Sequence, residues 1–108
     1  MTQTRFHAQR LFDGQAFFDD LVLTIVDGKI TAIDQDITNI DVTATGLVVP
    51  GYIDLQVNGG GGVLFNDSPS VDNLKTIMTA HARFGTTAMM ATLITDKIDI
   101  MAQAADAM

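Results

Sequence analysis

Three polar side chains alternate along one strand-like segment and are the residues best spaced for chemistry. Asp54, Gln56 and Asn58 are two residues apart, so in an extended chain they project to the same side. The residues that project to the other side are Ile53, Leu55 and Val57. Polar groups are costly to bury without partners. One interpretation of the pattern is therefore that the end of this segment forms part of a functional site.

The carboxamides of Gln56 and Asn58 each offer an acceptor oxygen and an amide donor, which suits the orientation of a water molecule or a substrate. The alternative is a structural hydrogen-bond pair that caps the end of a strand. For Asp54 we favour a structural carboxylate that supports neighbouring loops over a reacting group. We expect Gly59 and Gly60 to support this edge.

The glycine run from Gly59 to Gly62 has two interpretations. Backbone N–H groups of such a loop can hold a phosphate, but the run lacks the lysine and the directly following helix of the usual phosphate-binding motif. The alternative is a loop that needs positive φ angles and close packing. His7 and His81 are far apart in sequence and have no metal-ligand spacing, so each is expected to be structural.

Composition restricts the class of protein. The 108 residues carry a formal net charge of -7 and no cysteine, which excludes disulfide and thiolate sites. The basic residues are scattered, which disfavours nucleic acid as a partner. No segment has the pattern of a secretory signal or the apolar length of a membrane span. These features predict a cytoplasmic protein without a membrane partner.

The second half of the chain alternates between strand and helix patterns. Tyr52–Val57 and 88–94 are predicted strands, and 71–84 is a predicted helix with Ser70 as its N-cap and Gly85 as its C′ residue. A second helix is predicted after a Thr95 or Asp96 cap. This order is typical of a parallel sheet with helical crossovers.

The first half is predicted to be a small antiparallel sheet. Strands at 21–26 and 29–34 flank Asp27-Gly28, a strong hairpin signal, and a further strand is expected at 41–49. The Asp19-Asp20 pair is predicted to be a solvated turn. We therefore divide the chain into residues 1–49, part of a small β-sandwich domain, and residues 50–108, the first two β/α units of a barrel.

The segment from Pro50 to Asp54, with its alternating polar continuation, resembles the first barrel strand of the amidohydrolase superfamily. The longer run, with Gln56, Asn58, the glycines, Phe65-Asn66-Asp67 and Thr92 to Thr95, is similar to N-acetylglucosamine-6-phosphate deacetylases. The implied fold class is α/β: the start of a TIM-type (β/α)8 barrel preceded by a small antiparallel β-sandwich-like segment. It would be incomplete in this chain, since a barrel of this type has about eight strand–helix units.

The resemblance implies a metal-dependent hydrolysis of N-acetylglucosamine 6-phosphate to glucosamine 6-phosphate and acetate. Gln56 and Asn58 stand where many superfamily members have a metal-binding His-x-His, and carboxamides are weak zinc ligands. The implied cofactor is a divalent metal, one zinc, whose Glu and His ligands lie beyond residue 108 together with a catalytic Asp. No catalytic residue and no metal ligand is expected within this chain. The expected partner is a small-molecule amino-sugar phosphate, and the full-length enzyme is expected to be a homo-oligomer.

Two other hypotheses remain open from the residues alone. One is another metal-dependent amidohydrolase, of the dihydroorotase or hydantoinase kind, which would more often show His-x-His at positions 56 and 58. The other is a non-catalytic binding or assembly module. In the favoured interpretation the 108-residue chain is inactive by itself and self-associates or dissolves poorly, because it exposes unpaired strand edges.

Overall fold

The computed structural model describes residues 2–108, which are mixed α/β and mainly strands. They divide into two compact units, Met1–Pro50 and Gly51–Met108. Each unit has its own apolar cluster.

The first unit is a four-stranded sheet. Its strands are β1 (Gln3–Phe12), β2 (Phe17–Val26), β3 (Lys29–Asp34) and β4 (Val42–Val48), in the spatial order β3-β2-β1-β4. The β1–β2 and β2–β3 pairs are antiparallel, but β1 and β4 are parallel. The prediction of an antiparallel sheet is therefore wrong at β4. The chain leaves β3 at one edge and crosses to the other edge, where it runs in the direction of β1.

The local turn prediction at Asp27-Gly28 is confirmed. Both residues have positive φ, 48° and 78°, as a two-residue hairpin that matches strand twist requires. The Asp19-Asp20 prediction is wrong, because β2 begins at Phe17 and pairs with β1 as far as Phe12. Asp20 adopts a φ of 52° within the strand, and its Oδ1 lies 3.1 Å from Nε2 of His7.

One face of this sheet is apolar. Its buried cluster contains Ala8, Leu11 and Leu23. Ile33 and Ile30 lie opposite Leu23 and Ile25 in the β2–β3 register, so they continue the same face. We call Ala8, Leu11, Leu23, Ile30 and Ile33 the apolar sheet face. Ile30 and Ile33 are 58% and 59% exposed.

The second unit contains two parallel strands joined through a helix. Its elements are β5 (Tyr52–Val57), β6 (Gly59–Gly60), β7 (Val63–Leu64), a short 3-10 helix (Phe65–Asp67), α1 (Val71–Ala82), β8 (Thr86–Ala91) and α2 (Ile98–Ala107). β5 pairs with β8 in parallel. This is the predicted alternation of strand and helix. The glycine run, predicted to be a loop, forms the short β6–β7 hairpin and its turn.

The ends of the helices differ from the predictions in part. Ser70 caps α1 as predicted, since its Oγ accepts a hydrogen bond from the Asn73 N–H at 3.3 Å. The helix ends at Ala82 rather than at residue 84, and Gly85 has a φ of 94° in the following turn. The cap of α2 is Lys97, not Thr95 or Asp96, because the Asp96 carboxylate accepts hydrogen bonds from Asn66 and from the Lys97 N–H.

The core of the second unit gathers at the carboxyl end of β5. Val57, Phe65, Ile77 and Ala104 are its buried members. Of Ile53, Leu55 and Val57, which project to the apolar side of β5, only Val57 is buried, with 3% of its surface exposed. Ile53 and Leu55 are 67% and 68% exposed, and the ladder to β8 shifts register between Asp54 and Val57. Within residues 2–108, neither helix has the length and apolarity to cross a bilayer.

Candidate functional site

The parallel pairing of β5 and β8 brings their carboxyl ends to one edge of the sheet. The Thr92 N–H, just after β8, donates to the Val57 carbonyl at 2.8 Å. Polar residues that follow the two strands are thereby brought together, although Asn58 and Thr92 are 34 positions apart in sequence. We call the edge formed by Asn58, Asn66, Thr92, Ile94 and Asp96 the carboxyl edge. In parallel α/β folds, this edge is the usual position of the ligand site.

Asn58 joins the two strand ends through its side chain. Its Nδ2 donates to the Thr92 carbonyl at 3.0 Å, and its own backbone carbonyl accepts from the Phe65 N–H at 2.8 Å. Asn58 is half-buried. A carboxamide has two N–H groups and an acceptor oxygen, so Oδ1 and one N–H are left after the bond to Thr92. The structure thus gives Asn58 both a structural bond and spare hydrogen-bonding capacity.

Asp54 and Gln56 are placed differently from Asn58. The Asp54 carboxylate accepts from the Gln56 backbone N–H at 3.1 Å, within its own strand. The Gln56 side chain is exposed, and among residues 2–108 its carboxamide has no hydrogen-bond partner. No hydrogen bond joins the side chains of Gln56 and Asn58 within the same range, and each carboxamide keeps groups free for other partners.

Asn66 and Asp96 contribute to this edge and were not predicted as site residues. Asn66 is buried; its Nδ2 donates to the Ile94 carbonyl at 2.8 Å and to the Asp96 carboxylate at 2.9 Å. Its Oδ1 accepts from the Ile94 N–H at 3.0 Å. The sequence signal for Asn66 is its place in the Phe65-Asn66-Asp67 run that carries the family resemblance. Its partners are 28 and 30 residues away, so only the tertiary structure identifies them.

The charge of Asp96 is stabilised by these contacts. The hydrogen bond from the Asn66 side chain, followed by the one from the Lys97 backbone N–H, holds the pKa of the Asp96 carboxyl below its usual value. A carboxylate therefore stands at the edge near neutral pH. It is already occupied by internal donors, which makes it a support for the loop after β8.

The glycines beside Asn58 allow close backbone contacts. A Cβ built on Gly59 would lie 2.5 Å from the Val63 carbonyl oxygen, and one on Gly60 would lie 2.9 Å from Nε2 of His81. Gly61 and Gly62 form the hairpin turn with φ of 64° and 85°. Tight packing and left-handed backbone both require residues without a Cβ here.

The residues that the structure describes do not form a metal site by themselves. Among residues 2–108, no three His, Cys, Asp or Glu side chains gather as a metal site would require. His7 contacts Asp20 and His81 contacts the Gly59 carbonyl. At the carboxyl edge, Gln56 and Asn58 offer only neutral carboxamides, which hold zinc weakly. The described residues therefore supply no ligand set for the metal that the resemblance implies, and ligands beyond residue 108 stay a prediction.

Comparison with curated proteins finds sugar-phosphate deacetylases. The chain is 56% identical over 63 residues to the N-acetylgalactosamine-6-phosphate deacetylase of Shewanella sp. (strain ANA-3), a match that covers 58% of the chain and 16% of the relative. It is 40% identical over 63 residues to the N-acetylglucosamine-6-phosphate deacetylase of Haemophilus influenzae, with the same coverage. A third relative, the N-acetylgalactosamine-6-phosphate deacetylase of Escherichia coli O157:H7, is 35% identical over 89 residues, or 82% of the chain and 23% of the relative. No family model matches the chain.

Solved structures agree with these sequence matches. The crystal structure of N-acetylglucosamine-6-phosphate deacetylase from Pasteurella multocida superposes with a TM-score of 0.79 at 27% identity, over 98% of this chain and 29% of that one. The Mycobacterium smegmatis enzyme superposes with a TM-score of 0.81 at 23% identity, over 93% and 29%. A mutant of that enzyme, solved in complex with N-acetyl-D-glucosamine-6-phosphate, gives 0.79 at 20% identity, over 95% and 28%.

These comparisons first define a class: the chain shares its fold with part of solved sugar-phosphate deacetylases. More narrowly, its curated relatives are N-acetylglucosamine- and N-acetylgalactosamine-6-phosphate deacetylases, which confirms the resemblance seen in the sequence. The matched part of the chain spans about a sixth of the length of the first two of these relatives.

Proposed function

We propose that this chain is part of an N-acetylhexosamine-6-phosphate deacetylase and supplies one polar edge of its active site. The observation that carries the proposal is the position of Asn58. Its side chain lies at the carboxyl end of two parallel strands, fixed to the second strand by its bond to Thr92 and with hydrogen-bonding capacity to spare. The deacetylase relatives support this interpretation over the hydantoinase-like and non-catalytic alternatives.

In this proposal the chain contributes orientation rather than proton transfer. Gln56 offers an exposed carboxamide, and Asn58 offers Oδ1 and one N–H. Either group can bond to the substrate acetamide or to the attacking water and hold it at a fixed distance and angle, which lowers the entropic part of the barrier. The group that takes the water's proton, an Asp by resemblance, is expected beyond residue 108.

The larger fold is part of the same proposal. Residues 50–108 would form the first two β/α units of a (β/α)8 barrel, and residues 1–49 would be part of a small β-sandwich domain. The β5–α1–β8 unit with its parallel strands supports the barrel interpretation. The exposed apolar side chains of Ile53 and Leu55 also suit a strand that receives further packing elements.

The sugar is a hexosamine 6-phosphate, and two epimers are candidates. N-acetylglucosamine 6-phosphate is the substrate expected from the sequence. N-acetylgalactosamine 6-phosphate is the second candidate, favoured by the 56% identity to the Shewanella relative. We propose that both sugar phosphates are deacetylated. A direct comparison of kcat/KM on the two sugars identifies the preferred substrate.

The test uses the protein that contains this chain, with acetate release as the assay. Gln56→Ala and Asn58→Ala are each expected to lower kcat/KM about 10- to 100-fold, the range typical of residues that orient reacting groups. Gln103→Ala, an exposed carboxamide on α2, is the matched control and should leave kcat/KM unchanged.

Two results would overturn the proposal. One is the absence of acetate release from both sugar phosphates by a folded, metal-supplemented protein. The other is full activity in both the Gln56→Ala and Asn58→Ala variants. The isolated 108-residue chain is expected to release no acetate, because the Asp and the metal ligands that the resemblance implies are expected beyond residue 108.

A further inference from the structure

We propose that His81 is a positioning residue that acts through Asn58; this inference rests on the proposed function. His81 lies in the last turn of α1, half-buried. Its Nε2 is 2.9 Å from the carbonyl oxygen of Gly59, a residue 22 positions earlier and adjacent to Asn58. A carbonyl oxygen only accepts hydrogen bonds, so Nε2 carries a hydrogen and donates the hydrogen bond to Gly59.

The contact adds a third hydrogen bond to two that hold the neighbouring residue, Asn58. The Asn58 backbone carbonyl accepts from the Phe65 N–H at 2.8 Å, and the Asn58 side chain donates to Thr92 at 3.0 Å. The next carbonyl, of Gly59, accepts from His81. Each bond comes from a different part of the second unit. Without the bond from α1, Gly59 and Gly60 keep their pairing with β7 but lose this hydrogen bond to the helix.

The glycine at position 60 indicates how closely the imidazole approaches. A Cβ at Gly60 would lie 2.9 Å from Nε2 and 3.0 Å from Cδ2 of His81, whereas the nearest backbone atom from α1, the Ile77 carbonyl oxygen, would be 3.4 Å away. The imidazole is therefore the main obstacle to a side chain at this position. His81 and Gly60 are matched to one another across the interface of α1 with β6.

The kinetic test separates positioning from simple structural support. In the protein that contains this chain, His81→Ala is expected to lower kcat/KM about 10- to 100-fold, as the loss of an orienting partner does. His81→Gln, which keeps an amide donor near the position of Nε2, is expected to restore most of that loss. Thr79→Ala, on the same helix and bonded only to the Lys75 carbonyl within α1, is the matched control.

The decisive comparison is made in the Asn58→Ala background. If His81 acts through Asn58, then His81→Ala should change kcat/KM of Asn58→Ala by no more than about twofold, because the two losses share one cause. Losses that multiply in the double variant, or a His81→Ala variant with full activity, would overturn the inference. Full activity of Asn58→Ala would also overturn the inference, and full activity of Gln56→Ala in addition would overturn the proposed function.

A stability cycle tests the contact independently of activity. Gly60→Ala is expected to lower the midpoint of thermal unfolding in the wild-type background, since the new Cβ meets the imidazole. In the His81→Ala background the same substitution should have a much smaller effect. Equal effects in the two backgrounds would show that His81 does not approach Gly60 as described.

Discussion

At the residue scale, asparagine side chains hold the carboxyl edge together. An asparagine can donate and accept at once, so it can bond to the main chain of a neighbouring loop as another strand would. Asn66 does this with the N–H and the carbonyl of Ile94, and Asn58 bonds to the carbonyl of Thr92. These bonds fix loops that have no ladder of their own.

Replacing Asn66 tests this role. Asn66→Ala leaves the Ile94 N–H and carbonyl without their partner, and we expect the free energy of unfolding to fall by about 1–3 kcal/mol. Asn73→Ala is the control, because its side-chain bond to the Ser68 carbonyl is exposed and water can replace it. Chemical denaturation of the two variants measures the difference. If Asn66→Ala lowers the free energy of unfolding no more than Asn73→Ala does, this role of Asn66 is contradicted.

The lowered pKa of Asp96 gives a pH dependence with a definite sign. Its carboxyl has a lower pKa in the folded chain than the usual 3.8, so the folded state binds fewer protons than the unfolded state at acid pH. The stabilisation is present above the unfolded pKa and is lost as pH falls through the folded pKa. Asp96→Asn should therefore weaken the fall in stability below about pH 4. Thermal unfolding measured from about pH 7 to about pH 2 covers this window, with Asp99→Asn as the control. If the unfolding midpoints of wild type and Asp96→Asn fall in parallel as pH is lowered, the predicted role of Asp96 is refuted.

At the element scale, local signals predicted the Asp27-Gly28 turn and the Ser70 cap, but neither the direction of β4 nor the cap of α2. Ser70 and Asp27-Gly28 behave as their residue types require. The direction of β4 depends on which edge of the sheet the chain reaches after β3, and no local pattern at 35–41 specifies that edge. The cap of α2 lies at Lys97 because a tertiary partner, Asn66, occupies the Asp96 side chain.

Gly51 gives a test at this scale. It leads into β5, and a Cβ there would overlap the Thr87 side chain. Gly51→Ala should lower the free energy of unfolding by about 1–3 kcal/mol through overpacking. Gly46→Ala is the matched control, since a Cβ at Gly46 meets nothing within 4 Å. Denaturant titration compares the two, and equal stability of both variants would mean that β8 does not approach Gly51 so closely.

At the scale of the whole molecule, exposed apolar surface is the main feature. Ile30 and Ile33 on the apolar sheet face are more than half exposed, as are Ile53 and Leu55 on β5. Exposed apolar surface of this kind promotes association. The net charge of -7 opposes association only through repulsion that salt screens.

We therefore expect the isolated 108-residue chain to self-associate, and increasingly so at higher salt. Ile33→Lys places a charge on the apolar sheet face and should shift the chain towards monomer in sedimentation velocity. Ile37→Lys makes the same change at an exposed residue outside the strands and should have a smaller effect. A wild-type chain that stays monomeric at all concentrations tested would contradict this expectation.

The sequence by itself determined the local features of this protein: the Asp27-Gly28 turn, the Ser70 cap, the alternation of strand and helix after residue 50, and the polar positions Asp54, Gln56 and Asn58. Each depends on residues within a few positions of one another. Only the tertiary structure decided that Asn58 bonds to Thr92, that Asn66 clamps Ile94, and that His81 reaches Gly59. These partners are 22 to 34 residues apart. Their meeting depends on the register between β5 and β8 and on the packing of α1, which no local pattern encodes.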